Sequence, residues 1–306
     1  MLDLPVADTA GVDQLFTDLI ALFESELCQR WSHGQHSWRR TSEGGFDPRR
    51  YTVVALEDAL AQDFVTCHHY SRSYPSASLR YGLLEHGRLV GVAVLGVPMS
   101  KPVLTKPFPT LTPYRESLEL SRLILLDEVP ANAESWFLAR VFAAAADQGV
   151  RGVVAFSDPL PRRLDGALLM PGHVGTIYQA LGAIYTGRAT ARTLTLLPDG
   201  TVLTARSAAK ITGGERGMGG QITRLVSLGA TPPGAVYGLP LFLLTTDQLT
   251  AWLSGALAEI GARKVRHRGN HRFAWAIGNR AQRRTTPIAL DALPYPKTPD
   301  PYDLAA

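Results

Sequence analysis

Cysteine is nearly absent from this chain: two residues, Cys28 and Cys67, in a length of 306. They lack the paired spacing of a metal knuckle, which argues against a cysteine-based zinc site and a disulfide framework and fits a reducing cytoplasm. No apolar run approaches the ~20 residues that a bilayer-crossing helix needs, so no membrane partner is expected. The first residues include Asp3 and Asp8 and lack the basic, apolar pattern of a secretory leader. A phosphate-binding P-loop is missing too. Thr212 to Gly220 holds five glycines but no Lys-Ser/Thr ending, so it reads as a flexible loop. Charged residues make up only 19% and hydrophobic ones 45%, which excludes wholesale disorder and supplies a sizeable core.

The charge is unevenly spread. Residues 1–187 carry 16 Lys/Arg against 20 Asp/Glu, a balance of −4, while residues 188–306 carry 15 against 7, a balance of +8. A basic second half suits an anionic partner such as nucleic acid. The alternative is a solvated basic face.

The stretch from Glu119 to Asp158 organises the rest. An apolar run over 118–126 predicts a strand, and 134–148 predicts a helix with Trp136, Phe137, Arg140, Val141 and Ala144 along one face. Asn132 stands where an N-cap would, and Gly149 stops the helix. A second apolar run over 150–156 ends at Ser157-Asp158. This strand–helix–strand unit predicts parallel pairing with a right-handed crossover. Ligands in such sheets gather where strands end and helix N-termini point, which makes 127–135, including Asn132 and Ser135, and Ser157-Asp158 candidate positions.

Around this unit the chain predicts a helix over 11–30, a loop over 31–50, a strand at 51–56 and a helix at 56–68. A hairpin joins 80–84 to 89–97 through Glu85-His86-Gly87-Arg88. A loop covers 98–114, irregular chain 159–171, a short helix 176–183 and one or two strands 183–197. Helical patterns follow at 206–211, 221–228 and 246–261, with a strand at 239–244.

Two clusters carry chemistry. Cys67-His68-His69-Tyr70-Ser71-Arg72-Ser73-Tyr74 follows a helix and puts two imidazoles, two phenols and a guanidinium side by side. His69 is a candidate general base or metal ligand and Tyr70 a candidate acid or orienting group. The alternative is a helix end at which His68 and His69 cap carbonyls. Arg263-Lys-Val-Arg-His-Arg-Gly-Asn-His-Arg272 is the most basic patch in the chain. Its Arg263, Lys264, Arg266, Arg268, His271 and Arg272 suit phosphate and base contacts.

The chain resembles the Mom family of bacteriophage DNA-modification proteins. The resemblance is carried by His69-Tyr-Ser-Arg-Ser73, Glu119-Leu-Ser-Arg-Leu123, Pro130-Ala-Asn-Ala-Glu-Ser135 and Ser157-Asp158. It continues through His173-Val-Gly-Thr-Ile-Tyr-Gln-Ala180, Ser207-Ala-Ala-Lys-Ile211 and Arg266-His-Arg-Gly-Asn-His-Arg-Phe273. It implies an α/β (α+β) fold similar to the GNAT acyltransferases: a mixed, mostly antiparallel sheet splayed at one parallel pair, with helices on both faces. The expected division is an N-terminal helix and loop at 1–50, a catalytic core at 51–200 and a basic, DNA-binding extension at 201–306.

The implied activity is transfer of a carbamoylmethyl group from an activated donor to the exocyclic amine of adenine in double-stranded DNA. This shields phage DNA from restriction in the cytoplasm of the bacterial host. On this reading His69, Tyr70, Asp158 and Ser121 are catalytic. Arg122, Asn132, Ser135, His173 and Tyr178 line the donor or substrate pocket. Arg72 and Lys210 join the basic patch on DNA. A metal, iron being the candidate, would sit at His69, Tyr70 and Asp158. The turn before the central helix departs from the GNAT pattern, because Pro130 lacks an N–H, glycine is absent, and Glu128 and Glu134 repel anions. This disfavours acetyl-CoA as donor. Two other readings stand beside this one: a non-catalytic DNA-binding protein, and a GNAT acyltransferase acting on a small amine.

Overall fold

The structure is a computed structural model that describes residues 27–69, 71–164, 167–170 and 172–300. The helix expected over 11–30 falls mostly outside these residues. Its last part, from Leu27, is strand.

In chain order, β1 (Leu27–Ser32) and β2 (Gln35–Arg40) form a hairpin, followed by β3 (Tyr51–Ala55) and helix α1 (Asp58–His68). Next come β4 (Ala77–Glu85), β5 (Arg88–Gly96), a one-turn α2 (Pro102–Thr105), β6 (Ser117–Leu125), α3 (Ala133–Asp147) and β7 (Gly152–Ser157). The short pair β8 (Arg162–Leu164) and β9 (Ala167–Met170) precedes α4 (Thr176–Ala180), β10 (Ile184–Arg188), β11 (Arg192–Leu196) and β12 (Val202–Leu203). Helices α5 (Ala205–Thr212), α6 (Met218–Ser227), α7 (Pro233–Tyr237) and α8 (Thr246–Glu259) lead to β13 (Arg263–His267), β14 (His271–Ala276) and α9 (Arg280–Arg284).

The chain divides into two compact units. Of the described residues, the first holds those up to 159, with 173–189 and 270–299. Its sheet has seven strands in the order β10-β14-β7-β6-β5-β4-β3. Neighbours run antiparallel except β6 and β7, which are parallel and joined through α3. One face packs on α3, where Phe137, Leu138 and Val141 meet Leu118, Leu120, Val153 and Phe273. The other packs on α1, where Ala61, Phe64 and Val65 meet Val92, Val94 and Ile124. Helices therefore cover both faces of a mixed sheet with one parallel pair. This is the GNAT-like, mixed α/β architecture that the sequence implied.

Of the described residues, the second unit holds those between 160 and 172, with 190–269 and Asp300. Helices α5, α6 and α8 enclose Ile211, Ile222, Leu225, Trp252 and Leu253 beside a three-stranded sheet in the order β12-β11-β13.

The structure departs from expectation in other places as well. The expected loop over 31–50 begins with the β1–β2 hairpin, and the irregular 159–171 contains β8 and β9. The expected strand at 239–244 is a 3-10 turn, Leu241–Leu243, with Phe242 and Leu243 exposed. The basic extension expected from 201 onward is divided between the two units. The chain returns after Gly269, and β14 pairs between β7 and β10 in the main sheet.

Candidate active site

Two groups of polar side chains flank the point where β6 and β7 part. Parallel pairing ends at Leu120 opposite Ala155, whereas β6 runs on to Leu125 and β7 to Ser157. A bulge falls at the same point. The β5–β6 register shifts between Val94 and Leu95, so Ser121 is the extra residue of β6. Close approach is built in here as well. A Cβ on Gly96 would lie 2.5 Å from Ser76 O and 2.9 Å from Ser121 Oγ, so only glycine lets the two segments meet.

The first group lies on the α1 face. His69 directly follows α1, and its N–H closes the last helical turn on Val65 O at 3.0 Å. The chain then bends sharply. Arg72 takes the left-handed region (φ 44°) and donates its N–H to His69 O at 2.9 Å. This is a strained conformation for an arginine. The bend brings Ser71 Oγ to 2.8 Å from His69 Nδ1 and to 3.1 Å from Ser73 Oγ. Arg122 completes the network. Its Nη2 donates to Ser73 O and Ser73 Oγ, both at 3.0 Å, and its Nη1 donates to Ser121 O at 2.6 Å.

Burial holds His69 far below the usual histidine range, at about 3, and the Arg122 charge pushes the same way. The ring is therefore neutral at pH 7. Ser71 N donates to Nδ1 at 3.2 Å, which assigns the ring hydrogen to Nε2. A neutral imidazole in this tautomer offers its Nε2 hydrogen as a hydrogen-bond donor. Glu119, on the same strand as Arg122, has its carboxyl raised by burial and lowered less by the Arg122 charge. Sequence motifs contain Glu119, Ser71 and Ser73 without marking them as site residues. The signal that points to the serines is their period-two spacing after His69. Tyr70 lies outside the described residues.

The second group gathers at the end of β7. His173 donates its N–H to Asp158 O at 2.6 Å, and its Nδ1 accepts from Gly175 N at 2.9 Å. Burial drops His173 to about 4, opposed by the Asp158 charge. Tyr178 stacks on His173 with ring centres 5.7 Å apart. It also packs against Phe273 and Trp275 as part of the core. Ser157 Oγ is buried with no hydrogen-bond partner among the described residues.

The turn before α3 is occupied by a feature that the sequence did not reveal. Arg30 of β1 is fully buried, donates from Nε to Val129 O at 2.9 Å and from Nη2 to Pro130 O at 2.6 Å, and pairs with the buried Glu134. Asn132 holds the N-cap position at φ 70° but makes no side-chain cap. Its Nδ2 donates to Thr41 O at 3.1 Å instead. Ser135 Oγ donates to Asn132 O at 3.4 Å. A pyrophosphate cradle needs bare N–H groups at a helix start. This start offers a proline, a left-handed asparagine and a buried carboxylate, so it does not fit the pyrophosphate of coenzyme A.

The basic patch splits between the units. In the second, Arg263, Lys264, Arg266 and Arg268 are exposed along and just after β13, and Lys210 on α5 is half-buried. In the first, Arg72 is exposed. His271 and Arg272 leave the exposed set. His271 is 2% exposed, with Nδ1 2.8 Å from Tyr185 Oη, and Arg272 donates to Thr186 Oγ1 and Thr186 O at 2.9 Å each. Both are fixed in place by the pairing of β14 between β7 and β10.

A mixed sheet with one splayed parallel pair defines the class of fold, and the family follows from the sequence match. The Mom protein family model matches residues 50–224, and the chain belongs to that family. No curated protein matches the chain. Among solved structures, the ribosomal-protein-S18-alanine N-acetyltransferase from Escherichia coli is similar at 14% identity, covering 50% of this chain and 88% of that one, with a TM-score of 0.30. A tandem GNAT protein from the clavulanic acid biosynthesis pathway is similar at 11% identity over 75% of each chain, with a TM-score of 0.32. An N-acetyltransferase from Staphylococcus aureus Mu50 is similar at 15% identity over 47% of this chain and 87% of that one, with a TM-score of 0.28. The fold assignment rests on the strand order and on the β6–β7 pair themselves.

Proposed function

We propose that the chain is a transferase that adds a carbamoylmethyl group to the exocyclic amine of adenine in double-stranded DNA and so shields that DNA from restriction. The family match over residues 50–224 carries this reading, because it takes in both strands of the splay and the His69–Arg122 group.

The chemistry asks three things of the protein. Adenine's exocyclic nitrogen is a weak nucleophile inside a duplex, so the base must be flipped and held. The N–C bond then forms as the donor's leaving group departs, and the amine loses a proton. In this reading His69 Nε2–H and the Arg122 guanidinium would hold the carbonyl oxygen and the departing charge. Asp158, whose backbone carbonyl accepts the His173 N–H, would supply the carboxylate that takes the proton. Arg263, Lys264, Arg266 and Arg268 would hold the phosphate backbone. The donor is an activated small group not held through a pyrophosphate cradle.

Mass spectrometry of nucleosides from plasmid DNA grown with the protein tests the proposal. A heavier deoxyadenosine, with the mass of the added group, is expected. Unmodified deoxyadenosine, with salt-sensitive DNA binding by the purified chain, would instead favour a binding protein without catalysis.

A further inference from the structure

The end of α1 carries a second arrangement of ligating groups, independent of the DNA reading. Among the described residues, one trio of histidine, cysteine and acidic side chains comes within reach of a single ion: His33, Cys67 and His68. Their ligand atoms all lie within 4.8 Å of one another. Tetrahedral zinc with bonds of roughly 2.0–2.3 Å would draw such atoms to about 3.3–3.8 Å, a small rotation for two exposed side chains and one half-buried one.

The backbone already holds the pieces. Gly34 N donates to His68 O at 3.0 Å, and Arg72 Nη2 donates to His33 O at 3.4 Å. The His33 and His68 rings meet edge to face, with centres 5.0 Å apart. Ser32 Oγ lies 3.2 Å from His33 Nδ1, a partner of the kind that orients a ligating imidazole. Two imidazoles and a thiolate are a borderline-soft set, suited to zinc-class ions and poorly suited to magnesium or calcium. Cys67 is exposed, so an ion reaches it from solvent, whereas Cys28 is buried.

We propose that His33, Cys67 and His68 bind a zinc-class divalent cation that clamps the β1–β2 turn onto the end of α1, immediately before His69. Three protein ligands leave a fourth position for water. The sequence argued against a cysteine-based zinc site because its ligands lack local spacing. The third ligand comes from a hairpin that the sequence pattern does not announce.

The test uses the full-length, untagged chain, stripped with a chelator and titrated with Co2+ as a spectroscopic probe. The wild type is expected to bind one equivalent with a near-ultraviolet thiolate-to-cobalt charge-transfer band. Cys67→Ser should lose the band, and His33→Ala should weaken binding by roughly tenfold or more. Absence of the band in the wild type, or an unchanged band in Cys67→Ser, would overturn the site. Should Cys67→Ser fail to fold, alkylation of wild-type Cys67 decides: Zn2+ slows it if the site exists and leaves it unchanged if it does not.

Discussion

His69 and Arg30 show how single side chains define the site. His69 is held neutral, with a folded-state value of about 3 against 6.5 unperturbed, and His173 is held at about 4. Between those values and 6.5 the unfolded chain binds protons that the folded one refuses, so stability falls as pH drops through that window. Thermal midpoints measured from pH 7 to pH 4 should decline, and His69→Asn should flatten the slope. Above pH 7 neither histidine contributes a slope. Arg30 and Glu134 form a buried pair, and Glu134→Gln leaves the Arg30 charge uncompensated. A loss of about 3–5 kcal/mol in chemical denaturation is expected. The cluster that contains His69 stands out in the sequence, because clustered titratable groups beside a helix end are rare as core filler. The role of Arg30 does not, because a lone arginine before Trp31 carries no sign that the fold will bury it against a turn far along the chain.

Among elements, two hairpins share one turn signal, and only one of them is legible in the sequence. Ser32-His33-Gly34-Gln35 and Glu85-His86-Gly87-Arg88 both place His and Gly at positive φ in two-residue turns. The second is legible because apolar strands flank it. The first is flanked by Arg30, Trp31, Trp38 and Arg39, which have no clean alternation. The β6–α3–β7 unit was legible because its apolar runs and helical stripe are long. The return of β14 was not, because periodicity says nothing about which sheet a strand joins. That return makes a prediction: His271→Ala should cost about 1–3 kcal/mol by removing the buried partner of Tyr185, and should leave DNA affinity unchanged. The bulge makes another. Gly96→Ala should cost about 1–3 kcal/mol and lower activity further than stability explains, since the new Cβ meets Ser121 Oγ at 2.9 Å.

At the level of the whole molecule, the cations of the basic half are shared between the units: Arg263, Lys264, Arg266 and Arg268 are exposed in the second, and Arg280, Arg283 and Arg284 are exposed in the first, which also holds His69, His173 and Arg122. No helix among the described residues is long and apolar enough to cross a membrane. If the second unit holds the phosphates, replacing Arg263, Lys264 and Arg266 together by Gln should make the log–log salt dependence of DNA binding shallower by about 0.9 for each phosphate no longer neutralised. The proposed division between grip and chemistry is tested most directly by the modified-deoxyadenosine content of DNA from cells expressing wild type, His69→Ala or Arg122→Ala, read beside the DNA affinity of each purified protein. The account predicts modification only with the wild type and near-equal affinities for all three. Folded His69→Ala and Arg122→Ala proteins that still modify adenine at the wild-type level would contradict it.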